Sequence, residues 1–255
     1  MIEIYFVFAG LLSGLLSGSM GVGGALLSTP LIRLGGVSPL LAIGTTVPAI
    51  LPSALTGAWS YWRAGLISRR HTIWIALSAG VGSVLGAIAT RRVPGNGHLL
   101  MILTAGLLLF MAIRLVPDKA DVRVETETSP PGRWGLLMLG LGTGFMSGLL
   151  GVGGGFVMVP VLIKVFRLPI KVALGTSLAV ISLTIIPNLV MQTLVHNVDW
   201  KVAGLLAAGV VPGAWAGAKL SISSSDRRLR WAFAAILGVT AIIYGVAELL
   251  QISSA

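Results

Sequence analysis

The sequence predicts an all-α integral membrane protein of two inverted repeats. Each repeat is a broken, re-entrant, glycine-centred helix plus three transmembrane helices, seven to eight membrane segments in total. Three observations predict it. Of 255 residues, 55% are hydrophobic and only 10% charged, with a mean hydropathy of +0.95; a soluble domain carries about a quarter charged residues. The apolar residues fall in long charge-free runs, and the two halves of the chain repeat one another.

The charge-free runs are residues 4–32, 34–62, 71–90, 93–113, 134–163, 172–198, 202–218 and 231–247. A helix needs about 20 apolar residues to cross the hydrocarbon core; six runs reach that length and the last two sit at its lower limit. No run alternates in the in–out manner of a membrane barrel. The first run opens with Glu3 and is too long for a cleavable signal, so it is expected to remain part of the protein. The polar stretch 117–133, with Asp118, Asp121, Glu125, Glu127 and Pro130–Pro131–Gly132, divides an N-terminal repeat (1–116) from a C-terminal repeat (134–255) as a cytoplasmic linker.

The duplication is carried by three ordered matches. Residues 17–30, SGSMGVGGALLSTP, correspond to 147–160, SGLLGVGGGFVMVP, at an offset of 130. Residues 42–46, AIGTT, correspond to 173–177, ALGTS, and Gly82 and Gly86 to Gly213 and Gly217, at an offset of 131. Duplicated halves are common in secondary transporters.

Two runs, 4–32 and 134–163, are about ten residues longer than one crossing needs, and each holds its glycine cluster near the middle. If every run crosses once, the 18 Lys and Arg divide 8 to 10 between the faces, which is no bias. If the glycine-centred runs turn back at mid-membrane, the halves become inverted and the division is 14 to 4. Cytoplasmic loops collect basic residues, so the second arrangement is expected. It puts the linker inside and both termini and the Gly95–Asn96 turn outside. The net charge of +10 is then a property of loops at an anionic leaflet, and no nucleic-acid partner is expected.

The expected site lies where the glycine clusters break their helices. Gly21, Gly23 and Gly24, and Gly151, Gly153 and Gly154, permit backbone that side chains exclude. Irregular backbone at that depth is tolerated where it is buried in protein or lines a cavity, and helix N-termini there favour an anion. Thr45, Thr46, Thr176 and Ser177 are expected to add hydroxyl donors. The competing reading for the glycines is close helix packing, and for the hydroxyls a bond to their own helix. Gly82 and Gly86, and Gly213 and Gly217, have small-xxx-small spacing and are assigned to packing. Pro48, Pro52 and Pro187 are expected to kink or interrupt their helices. Asn188, Gln192 and Ser60 are expected to form bonds between helices.

All eight acids lie in loops or near run ends, so no intramembrane carboxylate relay is visible. No cysteine is present, which excludes thiolate sites. No cofactor, metal or catalytic cluster is expected, and the chain is not expected to be an enzyme. The residue pattern points to a transporter for a small anion, with an anion channel or a permease for another small organic anion as the alternative. The bilayer, the solute and a second copy of the chain in a homodimer are the partners considered.

The S-G-x-x-G-V-G-G segments at 17–24 and 147–154, with Gly175–Thr176–Ser177, resemble the TauE/SafE family of sulfite-exporter-like permeases. The resemblance spans nearly the whole chain. The first copy departs from the pattern at Ser19, Met20, Ala25 and Thr46. What the resemblance implies is transport of sulfite, a sulfonate or sulfoacetate across a bacterial inner membrane. It also implies a substrate site at Gly21, Gly23, Gly24, Thr45, Thr46, Gly151, Gly153, Gly154, Thr176 and Ser177.

Overall fold

The computed structural model describes residues 2–90, 98–115, 132–151, 153–194 and 196–253. The Gly95–Asn96 turn, Val152 and nearly all of the 117–133 linker lie outside them. The described residues form ten helices and no strand: α1 (Ile2–Met20), α2 (Ala25–Leu34), α3 (Pro39–Arg63), α4 (Arg69–Thr90), α5 (His98–Leu115), α6 (Arg133–Leu150), α7 (Gly155–Lys164), α8 (Ile170–Leu194), α9 (Trp200–Ser223) and α10 (Asp226–Ser253). The eight charge-free runs become ten helices because the two overlong ones break, as expected, at the glycines. Pro48 and Pro52 lie inside α3 and Pro187 inside α8. These helices continue through their prolines, so interruption, one of the two expected effects, does not occur.

Each break ends a helix in the same way. The Gly21 amide donates to the Ser17 carbonyl at 2.8 Å and the Gly151 amide to the Ser147 carbonyl at 2.9 Å. The next turn needs positive φ, which Gly21, Gly23, Gly24, Gly151, Gly153 and Gly154 adopt at 68–85°; a side chain there clashes with the following carbonyl. After the first break the chain doubles back. The Tyr5 hydroxyl, near the start of α1, donates to the Leu31 carbonyl near the end of α2 at 2.8 Å, and Phe6 packs against Gly35. α2 therefore returns along α1 toward the face where α1 began.

The halves interlock instead of packing as separate bundles. On α1, Gly10, Gly14 and Gly18 lie against the backbone of Leu206, Val210 and Ala214 of α9; on α6, Gly140, Gly144 and Gly148 lie against Ile75, Ala79 and Ser83 of α4. Gly209, Gly213 and Gly217 return the contact from α9, and Gly82 and Gly86 from α4. The packing role assigned to those last two pairs is borne out. Register rises together along each pair, so α1 runs parallel to α9 and α4 to α6. α3 and α8, which correspond at the offset of 131, run in opposite directions: Gly44 meets Asn197, Gly57 meets Leu178, and Gly175 meets Tyr61.

Helix ends consequently gather at two faces. At one, Glu3 of α1 pairs with Lys201 of α9 at 2.9 Å. At the other, Arg133 of α6 lies over Trp74 of α4, His71 meets Phe166 edge-on, and the Lys171 ammonium donates to the Ile222 carbonyl. Among the described residues, five helices are long and apolar enough to cross a membrane, namely α1, α3, α4, α8 and α9. Large apolar side chains such as Phe8, Trp59, Leu77, Leu183 and Trp215 point outward, while Ser13, Ser17, Thr45, Ser53, Thr176 and Ser177 are fully buried. Such an exterior suits lipid, and the small and hydroxyl residues suit close helix contacts.

Candidate functional site

The two breaks meet. A methyl carbon placed on Gly153 would lie 3.0 Å from the Val22 carbonyl oxygen and 3.8 Å from the Gly23 Cα. Gly155, the first residue of α7, lies against the Gly21 carbonyl and the Val22 Cα. Ile50 of α3 and Ile181 of α8 flank Gly23, each with a methyl 3.3 Å from its Cβ direction. α3 and α8 thus cross beside the junction, one contributed by each half.

Both returning helices begin at this junction, and neither start is capped by a side chain. Gly24 precedes α2 and Gly154 precedes α7, and neither can supply a cap bond. The first amides of a helix carry partial positive charge. Two hydroxyl residues lie beside the first start: a methyl carbon on Gly24 would stand 3.4 Å from Ser53 Oγ and 3.5 Å from Ser17 Cβ, and Ser53 donates to Ser17 at 2.6 Å. At the second start a methyl carbon on Gly154 would lie 2.7 Å from the Thr143 carbonyl oxygen and 3.3 Å from the Ser147 Cβ; Thr143 and Ser147 correspond to Ser13 and Ser17 at the offset of 130.

Of the ten residues expected at the site, the glycines of both breaks and Ser177 come together. The Ser177 hydroxyl donates to the Gly21 carbonyl at 2.8 Å. Its counterpart Thr46 donates to Ile43 of its own helix at 2.8 Å, and Ile43 in turn packs on Gly151. Thr45 and Thr176 are placed elsewhere. Thr45 Oγ1 accepts from the Asp199 amide at 2.9 Å, and Thr176 Oγ1 accepts from the Ser68 amide at 3.0 Å. Each of those amides belongs to the residue that precedes a helix of the other half, α9 or α4. The two threonines are matching clamps that hold the loops of one half on the helix of the other. Ser68 and Asp199 themselves correspond at the offset of 131, a signal in the sequence that links neither residue to its threonine.

Four further residues are placed differently from expectation. Arg33, one of the loop bases of the charge count, is only 7% exposed and donates to the Val37 carbonyl at 3.3 Å. Ser60 bonds to Thr56 of its own helix, Gln192 accepts from Asn197 at 3.3 Å, and the Asn188 amide has no partner among the described residues.

A family model for the sulfite exporter TauE/SafE matches residues 6–244. The chain belongs to the TauE/SafE family. Its relatives include the probable membrane transporter protein YunE of Bacillus subtilis, 25% identical over 95% of each chain. YjnA of the same organism, also a probable membrane transporter protein, is 27% identical over 94% of this chain and 98% of its own. A probable membrane transporter protein of Xylella fastidiosa strain Temecula1 is 30% identical over 94% of this chain and 93% of its own. No solved structure matches. This TauE/SafE protein is accordingly a multi-pass membrane protein, its relatives are described as transporters, and its family match covers both breaks and all four helices that interlock around them.

Proposed function

We propose that this TauE/SafE protein is a secondary transporter for small sulfur-containing anions of the sulfite, sulfonate or sulfoacetate type. The observation that carries the reading is the contact of Gly155 with Gly21 and Val22, which brings two uncapped helix starts to one buried place. Backbone amides at such starts bind oxyanions without a fixed positive charge. The proposed site is formed by Gly21, Gly23, Gly24, Gly151, Gly153 and Gly154 with the hydroxyls of Thr46 and Ser177. Thr45 and Thr176 set the loops around it.

The proposed topology is two inverted repeats in a bacterial inner membrane. The doubling back of α2 along α1, the opposed directions of α3 and α8, and the 14-to-4 division of basic residues support it. Inverted repeats place their solute site at the repeat interface near mid-membrane.

Flux of radiolabelled sulfite, sulfoacetate, taurine and sulfate into proteoliposomes tests the function. Saturable uptake of at least one sulfur oxyanion is expected; absence of saturable flux for all four ends the substrate assignment. Because the chain contains no cysteine, Arg133→Cys and Lys201→Cys can be probed singly with an impermeant maleimide. Opposite-side labelling is expected, and same-side labelling, which eight single crossings would give, defeats the inverted arrangement.

A further inference from the structure

We propose that the Asn188 amide is a neutral oxyanion-binding group on the solute's route between the glycine junction and the face where α1 and α9 begin. The inference rests on the transport reading above and adds to it a residue that determines specificity.

Asn188 is 1% exposed, and neither Oδ1 nor Nδ2 has a partner among the described residues. A buried amide left unpaired is costly anywhere, and more so at membrane depth, where no water compensates. Its position is defined by α8. Ile181 of that helix touches Gly23 and Gly155 at the junction. Thr184, Asn188 and Gln192 follow at spacings of three, four and four residues, which keeps them on one helix face. At 1.5 Å per residue, Asn188 stands about 10 Å from the junction along the helix axis. Gln192 and Asn197, joined at 3.3 Å, continue the polar line toward the face that carries Glu3 and Lys201.

The other half of the protein supplies an internal control. At the offset of 131, Asn188, Gln192 and Asn197 correspond to Gly57, Tyr61 and Leu66. That copy makes the same helix crossings and the same threonine clamp with no amide at any of the three positions. The shared architecture therefore does not require amides there. A role in solute passage, which need not be symmetric between two opposite half-routes, accounts for their presence in one copy only.

The chemistry suits a small oxyanion. The amide Nδ2 offers two N–H donors and no charge, so it stabilises an anion that has left water without trapping it as a buried lysine or arginine would. The carbonyl Oδ1 accepts from a hydroxyl or ammonium on the same solute, which gives the group a means of ranking sulfonates that differ in their second substituent.

The test combines flux kinetics with stability of the full chain. Asn188→Leu keeps the shape and removes the hydrogen bonds. Asn188→Gly installs the residue that the other copy carries. The expected result is KM for the transported sulfur oxyanion raised about tenfold to a hundredfold, the value of one hydrogen bond to a charged group. The unfolding midpoint in detergent is expected to hold or rise for Asn188→Leu, because an unpaired polar group has been removed. Unchanged KM in either folded variant overturns the proposal, as does a fall in the midpoint of both variants, which would mark the amide as structural. Lack of saturable flux by the unaltered protein defeats the transport reading itself; normal flux with an indifferent Asn188 defeats only this inference.

Discussion

Replacing Gly153 by alanine separates two costs that the glycine junction imposes. Gly153 has φ of 85°, where an L-residue is less stable by about 1–2 kcal/mol. A Cβ there would also stand 3.0 Å from the Val22 carbonyl oxygen, tight enough that the carbonyl has to give by a few tenths of an ångström, and overpacking of this kind costs about 1–3 kcal/mol. The unfolded chain loses some freedom on Gly→Ala, which returns about 0.4–1 kcal/mol. Gly153→Ala should therefore destabilise by about 1–5 kcal/mol, centred near about 3 kcal/mol. Gly36→Ala is the control: φ there is 91°, but nothing lies within 4 Å of its Cβ direction, so only the conformational cost, about 1 kcal/mol net, should appear. Unfolding of the purified protein in detergent by increasing denaturant, followed by circular dichroism, measures both. If the two variants unfold at the same midpoint, the junction is looser than its contacts say and the reasoning fails.

Two other consequences can be checked with the same preparation. Thr45→Val and Thr176→Val each strip the acceptor from a loop amide, that of Asp199 or Ser68, and should cost about 1–3 kcal/mol each as that donor is left unpaired, with KM for any transported solute unchanged; a raised KM at unchanged stability would restore the threonines to the solute site. Tyr61→Phe removes the hydroxyl that donates to the Gly18 carbonyl at 3.2 Å where α1 and α9 touch, and should lower the unfolding free energy by about 1 kcal/mol, whereas no loss would mean that the bond contributes nothing net.

Most of the element pattern was legible in the residues. Long charge-free runs became helices because a span in lipid must satisfy its backbone internally, and the two overlong runs broke where three glycines of each cluster take positive φ. The duplication was legible as matched motifs at offsets of 130 and 131. The threonines were not legible. A buried hydroxyl in an apolar helix has the same local sequence whether it faces a solute, its own helix or backbone of the other half; Thr46 bonds its own helix, and Thr45, Thr176 and Ser177 bond backbone of the other half. The same holds for the amides: nothing near Asn188 in the sequence distinguishes it from Gln192, yet one is unpaired and the other is bonded.

By itself, the sequence determined that this protein lives in a membrane, that its halves are copies, and that each copy has a helix broken by glycine. Those properties follow from hydropathy, self-similarity and the steric freedom of a residue with no Cβ, all of which are local. Only the tertiary structure decided that α1 packs on α9 and α4 on α6, and that the two breaks touch. A glycine on a helix permits another backbone to approach but does not specify which one. That choice depends on the simultaneous fit of Gly10, Gly14 and Gly18 to α9 and of Gly140, Gly144 and Gly148 to α4, a condition that exists only once both halves are folded together.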